Sequence, residues 1–131
     1  MTESSTVPSK AMLWTGRVLS ALPVLGLVMS SIMKLTHNPA VLEGFGKFGY
    51  PESSLTAIGL VELVCALLYA IPQTSVLGAI LVTGYLGGAV ATHVQIGDVF
   101  VAPLLLGVLA WAGLVLRDSG LRAFLPLRKN P

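Results

Sequence analysis

The chain has 131 residues, 54% of them hydrophobic and only 11% charged, with a formal net charge of +2 and a mean hydropathy of +0.83. Soluble domains carry charge on about a quarter of their residues, so a soluble fold would leave wide apolar faces in water and the fitting solvent is lipid. The weak charge, with no basic run interleaved with aromatics, excludes nucleic acid as a partner, and a single cysteine, Cys65, excludes an internal disulfide or a dithiol mechanism.

Residues 1–10 read as a loose polar tail. An apolar segment over about 11–33, interrupted by Arg17, follows; Lys10 and Arg17 give it the look of a signal peptide. The Ser30-Ser31 neighbourhood is a poor cleavage site, and more apolar segments come after it, so it is expected to be a retained helix kinked at Pro23. Residues 34–54 read as one long polar loop, where Pro39, Gly44, Gly46, Gly49 and Pro51 argue against a continuous helix. Further helices are expected over about 55–71, ended by Pro72, then 76–94 and 99–116, with a basic tail behind them.

Each segment approaches the roughly 20 residues that cross a bilayer. The short links make neighbours antiparallel. The expectation is therefore an all-α, single-domain integral membrane four-helix bundle with up-down-up-down order. Lys10, Arg17, Arg117, Arg122, Arg128 and Lys129 fall on the side of both termini, against Lys34 and Lys47 on the other, which puts the termini in the cytoplasm. Trp14, Tyr69 and Trp111 are expected near that face, and Phe45, Phe48, Tyr50 and Phe100 near the opposite one, as two aromatic belts.

Glu62 lies well inside the second apolar segment, where a charge costs about 2.5–3.5 kcal/mol even on the lenient insertion scale. It must face the interior, be protonated or have a partner, and Gly59, Ala66 and Tyr69 share its face. It is the best candidate for a proton acceptor or ligand group, with a structural carboxyl as the alternative. Lys34 and His93 fall near the same outer end, and Tyr85 lies deeper, so Lys34, Glu62, Tyr85 and His93 form a candidate ligand pocket. The competing readings are a snorkelling Lys34, the favoured one for that residue, and a His93 that caps its helix end.

Gly84 and Gly88 stand one turn apart, with Gly87 between them, a small-xxx-small pattern whose main use is close helix approach in lipid; room for a flat ligand is the weaker alternative. Gly107, Ala110 and Gly113 offer a similar packing face on the last helix. The GxGxxG string at Gly44 to Gly49 has no strand–helix context and is rejected as a dinucleotide site. Two histidines and one cysteine give no zinc-ligand spacing, so no metal is expected.

Taken in order, Ser31-Ile32-Met33-Lys34-Leu35, Gly49-Tyr50-Pro51, Glu62, Pro72, Gly78, Gly84 to Ala89, Thr92-His93 and Trp111 to Arg117 resemble the DoxX-like family, with the match running from about Arg17 to Arg128. The resemblance implies a small four-helix membrane protein of a bacterial inner membrane. It also puts Lys34, Glu62, Tyr85 and His93 on recurring family positions. Founding members of the wider group are subunits of a thiosulfate:quinone oxidoreductase, which implies a redox-associated accessory protein whose interior pocket takes a small lipophilic ligand such as a quinone. Two alternatives remain: a proton-coupled small transporter, and a non-catalytic assembly subunit. The expected partners are membrane lipid and a partner membrane subunit or a second copy of the chain.

Overall fold

The computed structural model describes residues 7–125, and Arg128 and Lys129 of the expected basic tail lie outside them. The described chain is all-helical: α1 (Lys10–Leu35), α2 (Pro39–Phe48), α3 (Ser54–Ala70), a 3-10 turn (Pro72–Thr74), α4 (Ser75–Gln95), α5 (Val101–Arg117) and the short α6 (Ser119–Phe124). Of these, α1 and the run Pro72–Gln95 are long and apolar enough to cross a membrane, while α3 and α5 are shorter apolar helices. At 1.5 Å per residue the 26 residues of α1 span about 39 Å and the 17 of α3 about 26 Å. α1 packs against α3 and α5, and α4 packs against the same two helices from the other side.

Local chemistry explains the helix ends. The Ser9 hydroxyl accepts from the Met12 amide at 3.2 Å to open α1, which then runs unbroken through the buried Pro23. Ile71 is extended, as a residue before proline tends to be, and that ends α3. The carbonyls left over there are met by hydroxyls from the following turn: Thr74 donates to Leu68 O at 2.7 Å, and Ser75 Oγ lies 2.9 Å from Tyr69 O. Asp118 Oδ1 accepts from the Leu121 amide at 2.9 Å and starts α6.

The stretch 34–54, expected to be loop throughout, contains the ten-residue α2. Its boundaries carry ordinary capping chemistry. Asn38 Oδ1 accepts from the Ala40 amide at 3.0 Å, Pro39 occupies the first turn, and Gly49 closes the helix in the left-handed region at φ 82°. Gly44 and Gly46 weaken the helix without breaking it, and Phe45 and Phe48 tie it to the body of the fold by contacts with Tyr50 and His93.

Each long helix buries a narrow stripe at helical spacing. On α3 it is Leu55, Gly59, Glu62, Ala66 and Tyr69; on α1 it is Gly16, Ser20, Pro23, Leu27, Ser31 and Lys34. The outward faces are the more apolar ones: Leu22, Leu25 and Met29 on α1, Leu60, Val61 and Val64 on α3, and Leu104, Leu105 and Val108 on α5 are all exposed. Ser20, Ser31, Lys34, Glu62 and Ser75 are inside.

Three glycines permit the tightest helix contacts. A Cβ at Gly78 would collide with the Tyr69 backbone, one at Gly113 with Ser20, and one at Gly16 would lie 2.8 Å from Gly113 O. Gly84, Gly87 and Gly88 do not serve this purpose within the chain, because a Cβ at any of them meets nothing within 4 Å. All three are exposed on α4. Gly107 is intermediate, with only Leu86 Cδ1 at 3.7 Å.

Tyr69 is a core residue, 1% exposed, and is not part of an aromatic belt. Its hydroxyl donates to Ala110 O at 2.6 Å and lies 2.9 Å from Ser20 Oγ, which joins α3 to α5 and α1. Trp111 also turns inward, with Nε1 donating to Thr83 Oγ1 at 2.6 Å. Trp14 is exposed, with the Arg17 guanidinium 5.0 Å from its ring centre. Tyr69→Phe keeps the shape and loses the hydroxyl, so it is expected to cost about 1–2 kcal/mol. Thermal unfolding in detergent checks this; an unchanged midpoint would mean the hydroxyl contributes nothing net.

Candidate functional site

The first structural fact about Glu62 is its partner. The Lys34 ammonium donates to Glu62 Oε2 at 2.7 Å, with Lys34 8% and Glu62 2% exposed. Lys34 also donates to Ser30 Oγ at 2.6 Å, one turn back on its own helix. Lys34 thus turns into the fold and does not snorkel outward, with the Glu62 carboxylate and the Ser30 hydroxyl standing in for part of the hydration it gives up. A Cβ at Gly59 would stand 3.0 Å from Lys34 Cβ, so that glycine lets the lysine stem cross α3.

Beside the pair lies a cavity of about 340 Å³. α2 contributes Phe45 and Phe48 to its wall, the loop after α2 contributes Tyr50, and α4 contributes Gly84, Tyr85, Gly88, Ala89, Thr92 and His93. Lys34 reaches the same wall, and its ammonium lies 5.8 Å from the centre of the Phe45 ring. Lys34, Tyr85 and His93 therefore line one space. Glu62 stands behind it, in contact with Lys34 and close to Tyr85.

The polar groups of the cavity have defined roles. His93 Nδ1 is 2.7 Å from Ala89 O, and a carbonyl only accepts, so Nδ1 carries the proton. In the neutral ring Nε2 is then an acceptor. Phe48 meets the His93 ring edge-on at 4.9 Å and fixes its plane. The Thr92 hydroxyl gives its proton to Gly88 O at 2.8 Å, so in the 3.3 Å contact between Tyr50 and Thr92 the tyrosine donates. The cavity thus presents two aromatic side chains, one ammonium, two phenols and one imidazole acceptor.

Sequence reasoning missed Phe45, Phe48 and Tyr50 as cavity walls and read them as part of a lipid-facing belt. The signal for Phe45 and Phe48 was the amphipathic helix that carries them, Pro39–Phe48, hidden by the two glycines inside it. Gly84 and Gly88 are in the cavity wall, where the absence of side chains leaves space. His37 stays outside: it bonds to Thr56 at 3.2 Å and faces Glu52 at 3.6 Å. Cys65 is buried in the core. No group of three His, Cys, Asp or Glu side chains comes together among the described residues.

The sequence was compared with known families, curated proteins and solved structures. No curated protein and no solved structure gave a significant match. The profile of the DoxX-like family matches residues 18–113, which is well over half of the chain and covers all four long helices in whole or in large part. The chain belongs to the DoxX-like family, whose members are membrane-associated.

Proposed function

We propose that the chain is a multi-pass protein of a bacterial inner membrane: a transmembrane four-helix bundle with both termini cytoplasmic, whose cavity beside Lys34 takes a small lipophilic ligand of the quinone type in a redox-associated accessory role. The membrane reading draws on the inverted distribution of polarity, with serines, Lys34 and Glu62 inside and Leu, Val and Met outside. The orientation draws on Lys10 and Arg17 in the first part of α1 and Arg117 at the end of α5, against Lys34 and Lys47 on the other side.

One observation carries the ligand reading: a buried ion pair backs an aromatic-walled cavity of about 340 Å³. That volume lies toward the lower end of the range of about 300–1,000 Å³ usual for ligand pockets. Quinone carbonyl oxygens need a donor, which the Lys34 ammonium offers; quinol hydroxyls need an acceptor, which His93 Nε2 offers. Phe45 and Phe48 would flank the ring.

The test is binding of a short-tailed quinone to purified protein, followed by native mass spectrometry and by thermal shift. Gly88→Leu fills the cavity from a wall position where a Cβ meets nothing within 4 Å, so folding should be spared. It is expected to weaken binding about tenfold or more while the melting point stays within a few degrees, since a ligand excluded by sterics loses most of its contacts. Equal binding by wild type and Gly88→Leu would place the ligand elsewhere, and no binding across a panel of quinones would end the reading.

A second reading, as an assembly subunit or homo-oligomer, draws on Gly87, which sits on an exposed α4 face in the groove toward α5. Under it, Gly87→Leu separates a complex from native membranes and leaves quinone binding intact.

A further inference from the structure

The end of the fold opposite the Lys34 cavity holds a different site. A hollow of about 250 Å³ opens between α1, α3 and α5, with Arg17, Ser20 and Arg117 on its polar side. The remaining wall is Ala21, Val24 and Ala70, backed by Tyr69. Arg117 is held in place: its Nε donates to the buried Ser20 hydroxyl at 3.0 Å, and its guanidinium lies 5.5 Å from the centre of the Tyr69 ring. Ser20 is in turn fixed by the Tyr69 hydroxyl, 2.9 Å away. Arg17 lies against Trp14 by its guanidinium face.

Neither arginine has an anionic partner among the described residues. Among the described residues, the ion pairs formed by Glu43, Glu52 and Glu62 are with Lys47, His37 and Lys34, and none involves Arg17 or Arg117. Asp118, next to Arg117 in the chain, caps α6 with a carboxylate oxygen. Two guanidinium groups therefore line one hollow without a carboxylate between them, and one of them is locked by a buried hydrogen-bond network that uses only Nε. The guanidinium fork pairs bidentately with carboxylate and phosphate oxygens alike, and of the two the phosphate is the one every phospholipid headgroup presents.

We propose that this hollow binds a phosphate oxyanion, carried by the headgroup of an anionic phospholipid. The inference rests on the membrane reading above, which sets the ends of α1, α3 and α5 at headgroup depth. Basic pockets between helices on the cytoplasmic side are suited to such headgroups. The apolar wall of Ala21, Val24 and Ala70 favours a lipid over a free ion, since a hydrated phosphate gains nothing from it.

Delipidated protein in detergent is titrated with phosphatidylglycerol and read by native mass spectrometry, with diacylglycerol as the phosphate-free control and inorganic phosphate as competitor. The proposal expects one tightly held phosphatidylglycerol, no comparable diacylglycerol complex, and about tenfold or more weaker lipid binding in Arg17→Ala/Arg117→Ala. Arg17→Lys/Arg117→Lys should retain the charge and part of the binding. Inorganic phosphate that displaces the lipid at low concentration assigns the same oxyanion site to free phosphate. Equal phosphatidylglycerol binding by the wild type and the double alanine variant overturns the site, as does equal binding of diacylglycerol. Quinone binding by the double variant, measured on the same sample, reports that the fold is intact. Recovery of the chain in the aqueous fraction without detergent would overturn the membrane reading itself, an outcome separate from loss of the lipid site.

Discussion

Glu62→Ala is expected to destabilise the protein by about 3–5 kcal/mol, because it strands the Lys34 ammonium in the interior without its carboxylate. The structural basis is the 2.7 Å contact between two side chains that are both nearly inaccessible. Ser30 remains as a partner for the ammonium, and Lys34 lies in the last turn of α1, so partial relief places the effect toward the lower end of that range. The double variant Lys34→Met/Glu62→Leu removes both charges and keeps most of the volume. It should recover most of the lost stability, since a buried pair replaced by apolar residues is often neutral or better. Cys65 supplies the readout: it is the only cysteine and is buried, so its reaction with a thiol dye on heating follows unfolding. A single variant as stable as wild type would show that the pair does not hold α1 to α3. Quinone binding separates the two uses of the pair: it should stay weak in the double variant even where stability returns, if the ammonium contacts the ligand.

The second large effect is at Gly78. Even alanine places a carbon against the backbone of Tyr69, and backbone at a helix crossing cannot rotate away as a side-chain tip can. α3 and α4 would have to separate along the contact that also carries the Ser75 and Thr74 hydrogen bonds. Overpacking a tight core costs about 1–3 kcal/mol, and a backbone clash belongs at or above the top of that range. Gly84→Ala is the matched control on the same helix. With open space around it, alanine should be neutral or stabilising by up to about 1 kcal/mol through helix propensity. Melting curves of the two variants check the contrast; equal midpoints would mean that α4 does not approach α3 this closely.

These two glycines show what a sequence can and cannot disclose. The long apolar segments are legible because their length and periodicity are set by each segment alone. The Gly84–Gly88 spacing is equally legible as a face of a helix, yet spacing does not say which neighbour that face meets. The close approaches fell to Gly113, which the sequence did mark as part of a packing face, and to Gly16 and Gly78, which it did not; at each the interhelix geometry puts a backbone atom close to where a Cβ would stand. α2 was masked by the opposite effect: Gly44 and Gly46 resemble loop residues, while the true stop signals, Asn38-Pro39 and Gly49, lie at its ends. The depth of Glu62 could be read from the apolar residues around it. That Lys34 is its partner could not, since 28 positions separate them and the pairing depends on how α1 is rotated against α3.

In the proposed transmembrane bundle the ion pair has an electrical consequence. Wherever the shared proton sits between Lys34 and Glu62, the two side chains together carry no net charge, so a voltage across the membrane does no work on the pair as a whole. A variant that keeps only one partner has a net charge inside the field. A full crossing of one elementary charge is worth about 2.3 kcal/mol per 100 mV, and a residue part of the way through would feel the corresponding fraction. The pair's contribution to wild-type stability should therefore be indifferent to membrane energisation, while the lone Lys34 of Glu62→Ala adds a dependence on it.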